Sequence, residues 1–139
     1  MSRVEGADEF IRDLQKLGAE MPQVERAMLK AGGQVMAEDG WKAEITDRDF
    51  VDSGAMRDNV TCKVKTGKGR MRAEITAIGQ DSRGVRNAAK AFYLHYGTSR
   101  GIPPSHWIDS AEADGYPKAN AAMRARLDQA LNETIGAKR

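Results

Sequence analysis

Ser99 sits in Gly97-Thr98-Ser99-Arg100-Gly101, the G-x-S-x-G spacing that in hydrolases lifts a nucleophilic serine on a sharp strand-to-helix turn. Such an elbow needs a helix directly after the serine. Ile102-Pro103-Pro104 forbids one, because a residue that precedes proline is driven out of the right-handed helical region. The usual order of acid then histidine over a large sheet is missing as well, so the pattern reads as a turn and no catalytic residue is assigned. His95, His106 and Asp109 offer two imidazoles and a carboxylate, a set that can hold a divalent cation. No further histidine or paired cysteine completes it, and the two histidines fall on different elements. Hydrogen-bonded structural histidines are the expectation, with no metal and no cofactor. Cys62 alternates with Val60 and Val64 and reads as a small buried hydrophobe.

The remaining chemistry is electrostatic. Lys63, Lys65, Lys68, Arg70 and Arg72 crowd one short stretch and, with Arg100, are the candidate assembly or partner contacts. Lysines on the wet face of a strand commonly keep an edge from aggregating, and the same cations suit DNA phosphates or an acidic protein neighbour. Residues 60 to 77 contain no aromatic side chain, which argues against readout of single strands by stacking.

The elements that carry these residues follow from periodicity. Asp8 is a plausible cap for an amphipathic helix with Phe10, Ile11, Leu14, Leu17 and Met21 on one face, after a short Ser2 to Glu5 segment that could be an edge strand. Pro22 suits the first turn of a second helix, striped by Val24, Met28, Ala31 and Val35 and running to about Ile45. Gly32-Gly33 inside it costs about 1 kcal/mol per glycine relative to alanine, so a kink or a closely packed neighbour is expected there. Ser53 to Arg57 reads as a capped turn into a strand. Alternation from Val60 to Lys65, a turn at Thr66-Gly67-Lys68-Gly69-Arg70, and alternation from Met71 to Ala77 predict a β-hairpin with one basic face.

Phe92 to Tyr96 is aromatic enough to predict a further strand. Tyr96, Gly97, Thr98, Pro104 and Trp107 then form a structural corner, with Ser105 capping a helix that Trp107 and Ile108 anchor. Asp114-Gly115 predicts a break and Pro117 the start of a last helix. The fold class expected is α+β: two N-terminal helices, an antiparallel sheet of about three to four strands and a C-terminal helix. The whole chain, 1–139, is expected to form one domain.

Composition sets the outer limits. At 139 residues the chain can bury a core without disulfides, and its single cysteine excludes an internal one. No apolar run reaches the length of a membrane span, and the N-terminal residues do not resemble a signal peptide, so a soluble product is expected. The net charge is +2 but unevenly spread. Residues 1–60 hold 8 basic against 13 acidic side chains, and residues 61–90 hold 8 against 2. Such a split suits a nucleic-acid patch or head-to-tail contacts between identical subunits.

The order of elements, together with three motifs, resembles the tail-component family of long-tailed double-stranded DNA phages, the HK97 type of tail-completion or neck protein. The motifs are the opening Val4 to Phe10, the turn into a strand at Asp52 to Val60, and the aromatic segment Phe92 to Thr98 followed by Pro104 to Ala111. His95 stands where an acidic residue is common in the family, and Asp109-Ser110 replaces the usual Arg-Pro. The resemblance implies a structural virion protein of a phage or prophage, made in the host cytoplasm and incorporated in the tail or neck. Its implied role is head–tail joining or tail completion as a homo-oligomeric ring. The implied partners are the connector, tail terminator and tail tube, with packaged DNA within reach of the basic hairpin and no membrane. A small DNA-associated protein that grips duplex phosphates through the hairpin is the alternative.

Overall fold

A computed structural model describes residues 7–50 and 54–134, giving only the backbone path of 7–10. One helical path runs through α1 (Ala7–Val35), a π-helical segment (Met36–Lys42) and α2 (Ala43–Asp47). The expected second helix starting at Pro22 is therefore a continuation of the first. Proline there withholds an N–H from the carbonyl of Gly18, four residues back. Gly18 and Pro22 are both exposed, and a Cβ on Gly18 would meet nothing within 4 Å, so the freed carbonyl can tilt into water. α2 closes in a Schellman motif: Phe50 N–H donates to Ile45 O and Asp49 N–H to Thr46 O, with Asp49 at φ 57°. The Ser2 to Glu5 strand and the Ser53 cap lie outside the described residues.

A short helix α3 (Ala55–Asp58) feeds β1 (Val60–Gly67), which pairs antiparallel with β2 (Arg70–Ala77). The hairpin forms where alternation predicts it, with Cys62 opposite Ile75, Val64 opposite Ala73 and Lys65 opposite Arg72. Lys68 and Gly69 turn it with positive φ at both positions, 52° and 72°, as a two-residue type I′ turn requires. These are the only strands among the described residues, in place of the three to four expected.

The missing strand is a helix. Phe92 to Tyr96 belongs to α4 (Asn87–Tyr96), where Asn87, Ala91 and His95 are buried at i, i+4 and i+8 while Phe92, Tyr93 and Tyr96 face outward. A helical inward face overrides the β preference of aromatics that are not buried. α5 (Trp107–Thr134) also runs unbroken through Gly115 and Pro117. Gly115 is there for contact: a Cβ on it would lie 2.7 Å from Met36 Sδ and 3.3 Å from Gly40 Cα. Pro117 is exposed and costs α5 only a solvent-facing bond.

α5 packs antiparallel to the first helical path, since Gly32 faces Met123 whereas Gly40 faces Ala111. The hairpin covers another side of that path, where Gly33 meets Cys62 and Ala73. Gly32-Gly33 thus admits close neighbours on two sides. The core lies where these elements meet, around Met36, Trp41, Ile45, Met56, Val60 and Trp107. The π-helical segment brings Met36, Ala37, Gly40 and Trp41 together onto it. Among the described residues no helix is long and apolar enough to cross a membrane.

Candidate functional site

The corner between α4 and α5 is built by two helix ends that satisfy each other. The last carbonyls of a helix and the first N–H groups of the next have no partners within their own helices. Here Tyr93 O accepts from Gly97 N–H, Leu94 O accepts from both the N–H and the hydroxyl of Ser105, and His95 O accepts from His106 N–H. In the other direction, Trp107 N–H donates to Ser105 Oγ at 3.4 Å and Ile108 N–H donates to His95 Nδ1 at 3.2 Å. Asp109 N–H donates to His106 O. The negative end of one helix dipole therefore faces the positive end of the next.

Gly97 makes the first bend at φ 79°, and a Cβ there would fall 2.8 Å from Ile102 O and Pro104 N. Thr98 N–H donates to Ile102 O, and Ile102 N–H donates back to Thr98 Oγ1, which closes the 98–102 tip. Trp107 is fully buried; its Nε1–H donates to Ala91 O at 3.0 Å, and its ring meets Trp41 and Phe50 edge-on at 5.1 and 6.5 Å. Tyr96 is exposed, stacked on Phe92 at 6.1 Å, and Arg100 stands exposed in the tip.

The structure brings His95, His106 and Asp109 together, with ligand atoms within 4.8 Å of one another. Their chemistry is nevertheless that of a corner. His95 Nδ1 gives its lone pair to Ile108 N–H, so the ring proton resides on Nε2 and neither nitrogen can donate to a cation while that bond stands. Ser99, in the exposed tip, has its nearest buried histidine already committed in this way.

The five hairpin cations are all exposed, but they are not equivalent. Glu74 holds Lys65 and Arg72 at 2.9 Å each, and these two bonds, Lys65 first, keep its carboxyl below the usual range. Lys63, Lys68 and Arg70 carry no ion pair among the described residues. Arg26 reaches from α1 to Thr66 Oγ1 and ties the hairpin to the helix. Burial raises the pKa of the Cys62 thiol, in keeping with its half-buried place against Gly33.

Three residues with structural consequences were not singled out from the sequence. Asp81 is buried in the loop between β2 and α4, paired with Lys90 and accepting from the N–H groups of Arg83 and Val85. Lys90 first, then the Val85 N–H, lowers its pKa from 3.8 to about 2. Asn87 closes the same loop through Ile78 O and Gly79 O. Arg48 braces the corner from α2, bonding Glu44, Ser110 Oγ and Ser105 O. An aspartate four residues before a backbone N–H in a Gly-rich loop is a recognisable turn signal; Arg48 shows only its i,i+4 pairing with Glu44, because the corner residues it braces lie 57 and 62 residues away.

An open groove of about 350 Å³ runs beside the corner, lined by Phe50, Met56, Tyr93, Leu94 and Ile102 together with the charged Asp49, Arg57 and Lys90. It lies between α3, α4 and the 98–102 tip. The arrangement offers surfaces for contact. No curated protein and no solved structure matches the chain significantly. A family model described as "Bacteriophage HK97-gp10, putative tail-component" matches residues 8–96, from the first helix to the end of α4, so the Pro104 to Ala111 part of the resemblance falls outside the match. With almost two thirds of its length so matched, the chain belongs to the HK97-gp10-like family of bacteriophage tail components.

Proposed function

We propose that this protein is a structural subunit of the phage tail or neck that acts in head–tail joining or tail completion by assembling into a closed ring of identical copies. Membership of the tail-component family carries the reading. The charge split supports the ring: an acidic segment 1–60 and a basic segment 61–90 on one chain favour head-to-tail contact, and heterologous contacts close into rings when the rotation permits. The connector, tail terminator and tail tube are the neighbours such a ring would meet, and the virion is where it would reside.

Sedimentation and light scattering of the purified chain test this directly. A discrete multimer that loosens when Lys63 and Lys68 are reversed to glutamate supports the reading; these two are preferable to Lys65, which Glu74 already holds. A chain that remains monomeric at all concentrations, or a multimer indifferent to the reversal, contradicts the electrostatic ring.

A second reading has its own support in the three hairpin cations that carry no ion pair among the described residues. Lys63, Lys68 and Arg70 could neutralise duplex phosphates, and three such contacts would give a slope of log affinity on log salt of about −2.7. A measured slope near zero, or no binding at low salt, removes it.

A further inference from the structure

His95, His106 and Asp109 come from three different stretches of the corner, yet the backbone ties them pairwise. His95 closes the last turn of α4, His106 stands at the junction and Asp109 lies in the first turn of α5. His106 N–H donates to His95 O at 3.0 Å, and Asp109 N–H donates to His106 O at 3.0 Å. His106 holds φ 52°, a left-handed conformation uncommon outside glycine, and in it the imidazole meets the His95 ring edge-on at 5.2 Å. One ligand atom from each residue lies within 4.8 Å of the other two, and His106 Nδ1 is 4.0 Å from Asp109 Oδ2.

Two imidazoles and a carboxylate are the donor set of borderline divalent ions such as zinc, whereas magnesium and calcium prefer oxygen alone. A tetrahedral zinc ion with ligands at about 2.1 Å holds its donor atoms about 3.4 Å apart, so the cluster must close by up to about 1.4 Å. The side chains of His106 and Asp109 are 61% and 73% exposed, so both can rotate onto an ion that arrives from solvent. Arg48, which bonds the corner through Ser105 O and Ser110 Oγ, is itself paired with Glu44 at 2.6 Å. The competitor is the Ile108 N–H, which donates to His95 Nδ1 at 3.2 Å. One net hydrogen bond weakens the uptake of a competing ligand by a factor of about ten, which leaves room for an ion with three ligands. Ile108 N–H belongs to the first turn of α5, where amides without a protein partner are met by water.

We propose that the corner takes a divalent transition-metal ion on His95, His106 and Asp109, in exchange for the bond between Ile108 N–H and His95. Either nitrogen of His95 requires that exchange. Coordination through Nδ1 takes the lone pair that Ile108 N–H uses, and coordination through Nε2 moves the ring proton to Nδ1, where it faces Ile108 N–H as a second donor. The corner therefore has two exclusive states, one closed by an amide and one by an ion. Three protein ligands leave at least one position on the ion to water.

Titration of the untagged chain with zinc, followed by calorimetry and by heteronuclear NMR of the amides and imidazoles, tests the site. One ion per chain is expected, with no uptake of magnesium at the same concentration. His106→Gly suits the left-handed φ and Asp109→Asn keeps the side-chain shape, and both positions are exposed, so each variant should melt like the parent. Each should weaken zinc binding by about tenfold or more, since even partners that stand behind metal ligands are worth that much. On saturation with zinc the Ile108 amide should exchange faster with solvent and the His95 ring nitrogens should shift, while the Gly97 amide, bonded to Tyr93 O, stays protected. Zinc bound as tightly by either variant as by the parent places the ion elsewhere and overturns the proposal. So does zinc bound with the Ile108 amide still protected, or an absence of saturable binding at millimolar zinc.

Discussion

Gly33→Ala is expected to destabilise the protein, although alanine is the better helix former, and Cys62→Ala is expected to rescue it. A Cβ on Gly33 would lie 2.1 Å from Cys62 Sγ and 3.3 Å from both Cys62 Cβ and Ala73 Cβ. Helix propensity alone would favour the change by about 1 kcal/mol. Overpacking a tight contact costs about 1–3 kcal/mol, so the single variant should come out destabilised by up to about 2 kcal/mol. Cys62→Ala alone removes a small half-buried sulfur and should cost about 1 kcal/mol. In the double variant the closest clash is gone and the propensity gain remains, so stability should return close to the parent, with a coupling energy of about 1–3 kcal/mol. Urea unfolding of the four proteins gives the cycle, with an unchanged slope confirming that all unfold alike. Gly18→Ala on the same helix is the internal control: it meets nothing within 4 Å and should be neutral to stabilising. A Gly33→Ala protein as stable as Gly18→Ala, or additive cycle energies, would refute the close approach of hairpin and helix.

Trp107→Ala should cost about 4 kcal/mol, as expected for a fully buried aromatic, whereas Trp107→Phe, which loses mainly the bond to Ala91 O, should cost about 1–2 kcal/mol; thermal unfolding ranks them, and equal losses would mean that the ring is not the anchor. Arg48→Met should cost about 1–2 kcal/mol by freeing Ser105 O and Ser110 from their brace, and a loss near zero in urea would show that the corner holds without it. Asp81 has a folded-state pKa below its unfolded value, so its stabilisation is complete above about pH 4 and is lost as pH falls towards about 2. Unfolding free energies measured across that window should therefore fall less steeply for Asp81→Asn than for the parent; parallel curves would contradict the clamp.

The hairpin was legible because strict alternation on either side of a Gly-containing turn fixes which residues share a face, while the Cys62–Ile75 pairing came from the structure. Gly32-Gly33 was legible as either a kink or close packing, and only the structure shows the close packing and its two different neighbours. α4 was misread because the aromatic run Phe92 to Tyr96 outweighed the quieter helical spacing of Asn87, Ala91 and His95, which is what the core selects. Pro22 and Pro117 looked like helix starts, but both face solvent, where the lost hydrogen bond is cheaply replaced by water. A corner was expected from residue types as a turn from a strand into a helix, whereas the structure joins two helices there by bonding that the types do not disclose. The carbonyls of α4 and the amides of α5 meet only after both helices exist, and Arg48 joins them from a distant segment.

A phage tail component that joins or completes the tail must leave a visible defect when it is missing. The direct measurement is electron microscopy of particles produced from the encoding phage genome with this reading frame deleted and then restored in trans. Filled heads without tails beside loose tails, reverting to whole virions on complementation, are the predicted result. Normal, infectious virions in the deletion would contradict the account.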